Sequence, residues 1–257
     1  MTFIALTLAL ACPFWVLGTM VKAPADVPLD LPWTALVFVT PIAAALLLVQ
    51  GESGRNGVRE LLRGTFDPQR IGPAAWYVPT LLLMPAVVIL SGALMTLLAF
   101  EPEGTYSSFL ALPALFLVFF VAALCEEVGW TGYATDPLQA RWGATAAALA
   151  IGLGWVALHL VPWFAVHGLT WTVGYALFTV TARILIVWLY NSSGRSVLVA
   201  VLFHTMINTS ASLSPYTGSP AAPYVWTVFT ALAAVVVTRL GWPKAQYRLS
   251  EETRSPR

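Results

Sequence analysis

Charge is what this sequence has least of. Only 10% of its 257 residues are Asp, Glu, Lys or Arg, against about 25% in an ordinary soluble domain. That is too few to cover a water-facing surface, which excludes a soluble globular protein. A formal net charge of +1 argues against a nucleic-acid partner. Cysteine is scarce as well. Cys12 and Cys125 both fall inside apolar stretches, which leaves neither a disulfide framework nor a CxxC metal pair. The first residues, MTFIALTLALAC, lack the basic start of a signal peptide. They read as a first membrane helix, although Ala9-Leu10-Ala11-Cys12 faintly resembles a lipoprotein cleavage site.

Apolar residues are abundant. The chain is 58% hydrophobic, with a mean hydropathy of +0.77. Crossing a ~30 Å hydrocarbon core takes roughly 20 apolar residues on a helix. Eight segments qualify, at about 2–21, 32–50, 74–100, 107–130, 144–164, 169–190, 196–212 and 222–240. The expected fold is all-α, a polytopic membrane protein of about eight transmembrane helices forming a single integral membrane domain over 1–257. The polar stretch 51–73, GESGRNGVRELLRGTFDPQRIGP, is expected to hold a short helix around Val58–Arg63. Residues 241–257 read as a charged tail.

The basic residues fix an orientation. With eight spans, Arg55, Arg59, Arg63, Arg70, Arg141, Arg195, Arg239, Lys244, Arg248, Arg254 and Arg257 share one side with both termini. Lys22 stands alone on the other side, and Arg183 lies within the sixth span. This split puts both termini in the cytoplasm.

Ionisable residues inside spans are rare and costly, and they mark function or a partner pair. Here they are Glu126, Glu127, His159, Arg183 and His204, with Asn208 as a polar neighbour. Glu126 and Glu127, in LCEEVGWTGY, point about 100° apart on a helix, so they face different partners. Trp130 shares the face of Glu126, and Thr131 that of Glu127. The bland reading of the pair is two glutamates ending a helix at the interface. His159, in GWVALHLVPWF, shares a face with Trp155, and Pro162 is expected to kink or end that helix. His204 and Asn208, in LFHTMINTS, lie one turn apart and both donate toward one point. Read singly, these are a structural histidine and polar glue between helices. His167 belongs in an outer loop. Taken jointly, a carboxylate pair, a histidine and a His/Asn donor pair make a hydrolytic constellation. The carboxylate and His159 activate water, and two donors hold a developing oxyanion.

The stretches EEVGWTGY, WVALH and WLYNSSGRSVLVAVLFHTMIN resemble the CPBP family, the CAAX-processing and bacteriocin-processing intramembrane proteases, over about 107–212. The resemblance implies a membrane endopeptidase of glutamic type. Its motifs are EExxxR, FxxxH and HxxxN. Carried over, they make Glu126 the base that activates water, with His159 assisting. His204 and Asn208 become the oxyanion site, and Glu127 orients the first motif. No cofactor is implied; should a metal be bound, Glu126, His159 and His204 would hold zinc. The implied partners are membrane lipid and a membrane-associated peptide or protein, of CAAX type if the host prenylates proteins. The implied location is a bacterial inner membrane.

Two positions depart from the family pattern. Trp155 stands for the Phe of the second motif, and Thr131 for the Arg of the first. Arg183 is a candidate replacement partner for Glu127. The favoured expectation is that it snorkels to the cytoplasmic surface ~10 Å away. By helix rise, His159 sits several ångströms deeper than Glu126 and His204, a mismatch that a tilt would absorb. Two rival readings remain: an inactive homologue serving immunity or scaffolding, which Thr131 favours, and a solute transporter, for which no repeat symmetry is visible.

Overall fold

The structure, a computed structural model, describes residues 1–21, 33–66, 68, 71, 73–103 and 108–242. The expected tail beyond Trp242 and the basic residues Lys22, Arg70, Lys244, Arg248, Arg254 and Arg257 lie outside the described residues. The fold is all-α, without a strand among the described residues. Its helices are α1 (Thr2–Met20), α2 (Thr40–Thr65), α3 (Tyr77–Leu97), α4 (Leu112–Glu127), α5 (Asp136–Trp142), α6 (Ala144–Ser192), α7 (Val197–Ser212) and α8 (Ala222–Leu240).

Among the described residues, five helical stretches are long and apolar enough to cross a membrane. One of them, Ala144–Ser192, is two arms joined at Gly168, whose φ of 74° breaks the helix. The glycine takes this left-handed backbone without the Cβ clash another residue would suffer. Adding the shorter apolar helices Thr2–Gly18 and Val197–Ser212 recovers the eight apolar segments of the sequence. Large apolar side chains such as Ile89, Leu117, Leu153, Leu232 and Val236 cover the outside, the inverse of a soluble surface.

Two boundaries move. Helix α2 continues past the expected end of the second span to Thr65, bending at Gly54 with φ 62°. The polar stretch therefore starts as helix, and Leu61 packs on the core. The fourth span continues beyond Glu127 as a π-helical segment, Val128–Thr135, that feeds directly into α5. The wider π turn leaves carbonyls without α-type partners, and the Thr135 hydroxyl donates to the Trp130 carbonyl at 2.9 Å. Gly129 lets this segment press against α2, since a Cβ there would stand 2.5 Å from the Pro41 carbonyl oxygen.

The interior is built by α6 on α8, and by α4 and α3 on α7. Helix α5 is tied down by polar pairs. Arg195 meets Asp136 at 3.0 Å, and the amides of Gln139 and Asn191 exchange two hydrogen bonds at 3.2 and 3.0 Å.

Candidate active site

Four helical segments converge at the end of α4. Glu126 and Glu127 are its last residues, and both are buried. The interfacial reading of the pair is therefore excluded. As the helical phase requires, the two carboxylates look in different directions.

Glu127 is held from three sides. Arg183, on the second arm of α6, donates from Nη1 to Oε2 at 2.8 Å and from Nη2 to Oε1 at 2.9 Å. Thr131, one turn along on the π segment, donates its hydroxyl to Oε2. His204 Nδ1 lies 2.9 Å from Oε1. A carboxylate paired to a guanidinium only accepts, so Nδ1 of His204 carries the proton and Nε2 points away from Glu127.

Arg183 corrects the sequence reading: it does not snorkel. Its side chain is 0% exposed, and its Cβ lies 3.4 Å from where a Cβ on Gly152 would stand. It therefore faces the first arm of α6 rather than the surface. Two charge-assisted bonds to Glu127 and the Trp155 ring, 4.3 Å from its guanidinium carbon, hold it better than a stretch to water would. A fork matched to a carboxylate and covered by an aromatic face is the geometry in which arginine tolerates burial. Trp155 also meets the His204 ring edge to face at 4.6 Å. This double packing was not foreseen; the aromatic motif position was its only signal in the sequence.

Glu126 faces His159, on the first arm of α6, with Oε1 3.8 Å from Nε2. The expected difference in depth does not keep them apart. His159 Nδ1 lies 3.1 Å from the Trp155 carbonyl. A carbonyl only accepts, so Nδ1 donates and Nε2 is the atom offered to Glu126. The gap is too long for a direct hydrogen bond. Glu126 Oε2 is buried and has no hydrogen-bond partner among the described residues. A buried carboxylate with an unused oxygen beside an imidazole nitrogen is a place for water.

Asn208 lies one turn beyond His204 on α7 and is half-buried. Among the described residues, no hydrogen bond joins it to the other site residues. Trp130 is fully buried and packs on Phe3 and against Gly154, a structural place. Trp163 lies along His159, with ring centroids 5.1 Å apart and planes at 21°; the sequence reading missed it. His167, placed in an outer loop from sequence, falls next to Gly168 at the bend of α6 and stacks on Trp171 at 3.9 Å. Among the described residues no three His, Cys, Asp or Glu side chains are grouped to share a metal ion. Of the three residues that would hold zinc, Glu126 and His159 face each other, and His204 turns Nδ1 to Glu127.

Residues 107–210, which contain all of these groups except those of α1 and α2, match the family model described as Type II CAAX prenyl endopeptidase Rce1-like. The chain is also 29% identical over 171 residues to "CAAX prenyl protease 2" of Methanococcus maripaludis. That alignment covers 61% of this chain and 63% of the relative. The chain thus matches under two thirds of that protein's length.

Proposed function

We propose that this chain is a CPBP-type intramembrane endopeptidase that hydrolyses a peptide bond with water activated by Glu126. The observation that carries the reading is the Glu126–His159 gap of 3.8 Å, with His159 Nδ1 engaged by the Trp155 carbonyl and Glu126 Oε2 left without a hydrogen-bond partner among the described residues. Water placed there donates one hydrogen to the Glu126 carboxylate and one to His159 Nε2. Its oxygen attacks the scissile carbonyl as its proton passes to Glu126. The tetrahedral oxyanion is met by His204 Nε2–H and the Asn208 amide. The proton held by Glu126 then goes to the leaving amine as the C–N bond breaks. No metal enters any of these steps.

For Nε2 of His204 to donate while Nδ1 also donates, the ring must be an imidazolium. Glu127 orients His204 through Nδ1, and Thr131 and Arg183 hold the Glu127 carboxylate in place. Thr131 favoured the inactive reading because it lacks the charge of the motif Arg. Arg183 supplies that charge from another helix, which supports an active enzyme.

The substrate in this reading is a membrane-associated peptide or protein, of CAAX type where the host prenylates. It is cut near the cytoplasmic side of the bilayer, where both termini lie. The test is a panel of quenched fluorescent peptides, prenylated and unmodified, presented in proteoliposomes. Cleavage by wild type that is lost in Glu126→Ala and in His159→Ala supports the reading. Equal cleavage by both variants overturns it.

A further inference from the structure

Among the described residues, His159 is fastened by hydrogen bonding at one atom only, Nδ1 to the Trp155 carbonyl at 3.1 Å. It is half-buried, with 15% of its side chain exposed. One hydrogen bond leaves the ring free to swing about that atom, and Nε2 would then leave Glu126. The face of the ring is closed instead by Trp163, stacked at 5.1 Å and 21°. Trp163 follows His159 by one helical turn, so the two share a face of the first arm of α6.

Trp163 is held in turn from the second arm. Tyr175 meets its ring edge to face at 4.8 Å, and Trp171 does so at 6.5 Å. Tyr175 and Trp171 stack on each other at 4.4 Å and 10°. Tyr175 also contacts Phe178 at 5.2 Å and Trp226 of α8 at 6.3 Å. An unbroken run of rings thus leads from α8 to His159. It crosses between the two arms, which the bend at Gly168 brings alongside each other.

We propose that Trp163, braced by Tyr175, is a positioning residue for His159, holding Nε2 at the distance from Glu126 that admits one water. This rests on the endopeptidase reading and deepens it. Aromatic pairs in offset or edge-to-face contact are favourable and directional, so the stacked indole fixes the plane of the imidazole. The Trp163 stack thereby keeps Nε2 in place to accept the hydrogen bond from water. A misplacement of about 1 Å costs about 10²-fold in rate, so the wall matters to turnover more than to substrate capture.

The experiment has two arms on the full chain in lipid nanodiscs. Kinetics compares wild type, Trp163→Leu, Trp163→Phe and Tyr175→Leu. The expected result is a fall in kcat of about 10- to 100-fold in Trp163→Leu with KM unchanged, a smaller fall in Tyr175→Leu, and recovery in Trp163→Phe. Unchanged kcat in Trp163→Leu overturns the proposal, as does a loss carried by KM alone. The second arm is NMR of histidine-labelled protein, which has only three histidines. Wild type is expected to show the His159 ring protons shifted upfield by the stacked indole, with that shift lost in Trp163→Leu and kept in Trp163→Phe. A His159 spectrum indifferent to Trp163 overturns the positioning even where no substrate is cleaved. A shift that behaves as expected in a protein without activity upholds the stack and sinks the endopeptidase reading instead.

Discussion

Arg183 and Glu127 form a two-pronged ion pair, at 2.8 and 2.9 Å, with both side chains fully buried. A charge taken from water costs several kcal/mol, which is recovered only when the partner and the remaining hydrogen bonds are in place. Thr131 and His204 take up the rest of the Glu127 carboxylate, and Trp155 covers the guanidinium.

Removing one partner is therefore expected to hurt more than removing both. Arg183→Leu should lower stability by about 3–5 kcal/mol, because it strands the Glu127 charge. Arg183→Leu combined with Glu127→Leu should lose clearly less than the sum of the single changes. Thermal unfolding in detergent measures all three; strict additivity would show that the pair is not coupled.

Thr131→Arg installs the Arg of the EExxxR motif but should not improve this protein. Thr131 is 0% exposed, and a longer side chain there overpacks by about 1–3 kcal/mol and sets a second cation beside Arg183. The same change in an Arg183→Leu background is expected to recover part of the stability lost by Arg183→Leu. Melting curves for the single and double variants decide this, and a Thr131→Arg protein as stable as wild type would contradict it.

Trp155→Phe keeps an aromatic ring over Arg183 and beside His204, and should retain activity within a few-fold. Trp155→Leu removes a desolvated cation–π contact worth about 2 kcal/mol and the edge contact to His204. A fall in both stability and kcat is the expected outcome. Loss of equal size in both variants would show that the indole, not an aromatic face, is required.

Gly129→Ala places a methyl where the Pro41 carbonyl oxygen already stands, 2.5 Å away. The start of α2 must then move off the π segment, at a cost of more than about 1 kcal/mol. The π segment begins right after Glu127, so activity should fall with stability. An Ala variant that melts and turns over like wild type would show that the close approach is not needed.

Much of this was legible in the sequence. Scarce charge and eight apolar runs imply the helices, because a bilayer leaves the backbone no other open choice. Glu126, Glu127, His159 and His204 stood out as the few ionisable residues in apolar surroundings. Helical spacing then placed Thr131 on Glu127 and put the two carboxylates on separate partners. The direction of Arg183 was not legible. TVTARILIV has no charge besides Arg183, so no polar periodicity marks the inward face. The π segment depends on α2 pressing against Gly129, and the Trp163–Tyr175 wall on the bend at Gly168 folding one arm of α6 back on the other. Contacts of that range leave no local pattern.

The central claim is that Glu126 activates water without a metal. The most direct measurement is cleavage of one established substrate by purified wild type and Glu126→Gln, each with and without a strong chelator. The account predicts that wild type cleaves equally well in both conditions and that Glu126→Gln, correctly folded, loses at least about 10³-fold in kcat, in line with removal of a base and of its charge. Loss of wild-type activity on chelation, with recovery on adding zinc, would contradict it and make these side chains metal ligands.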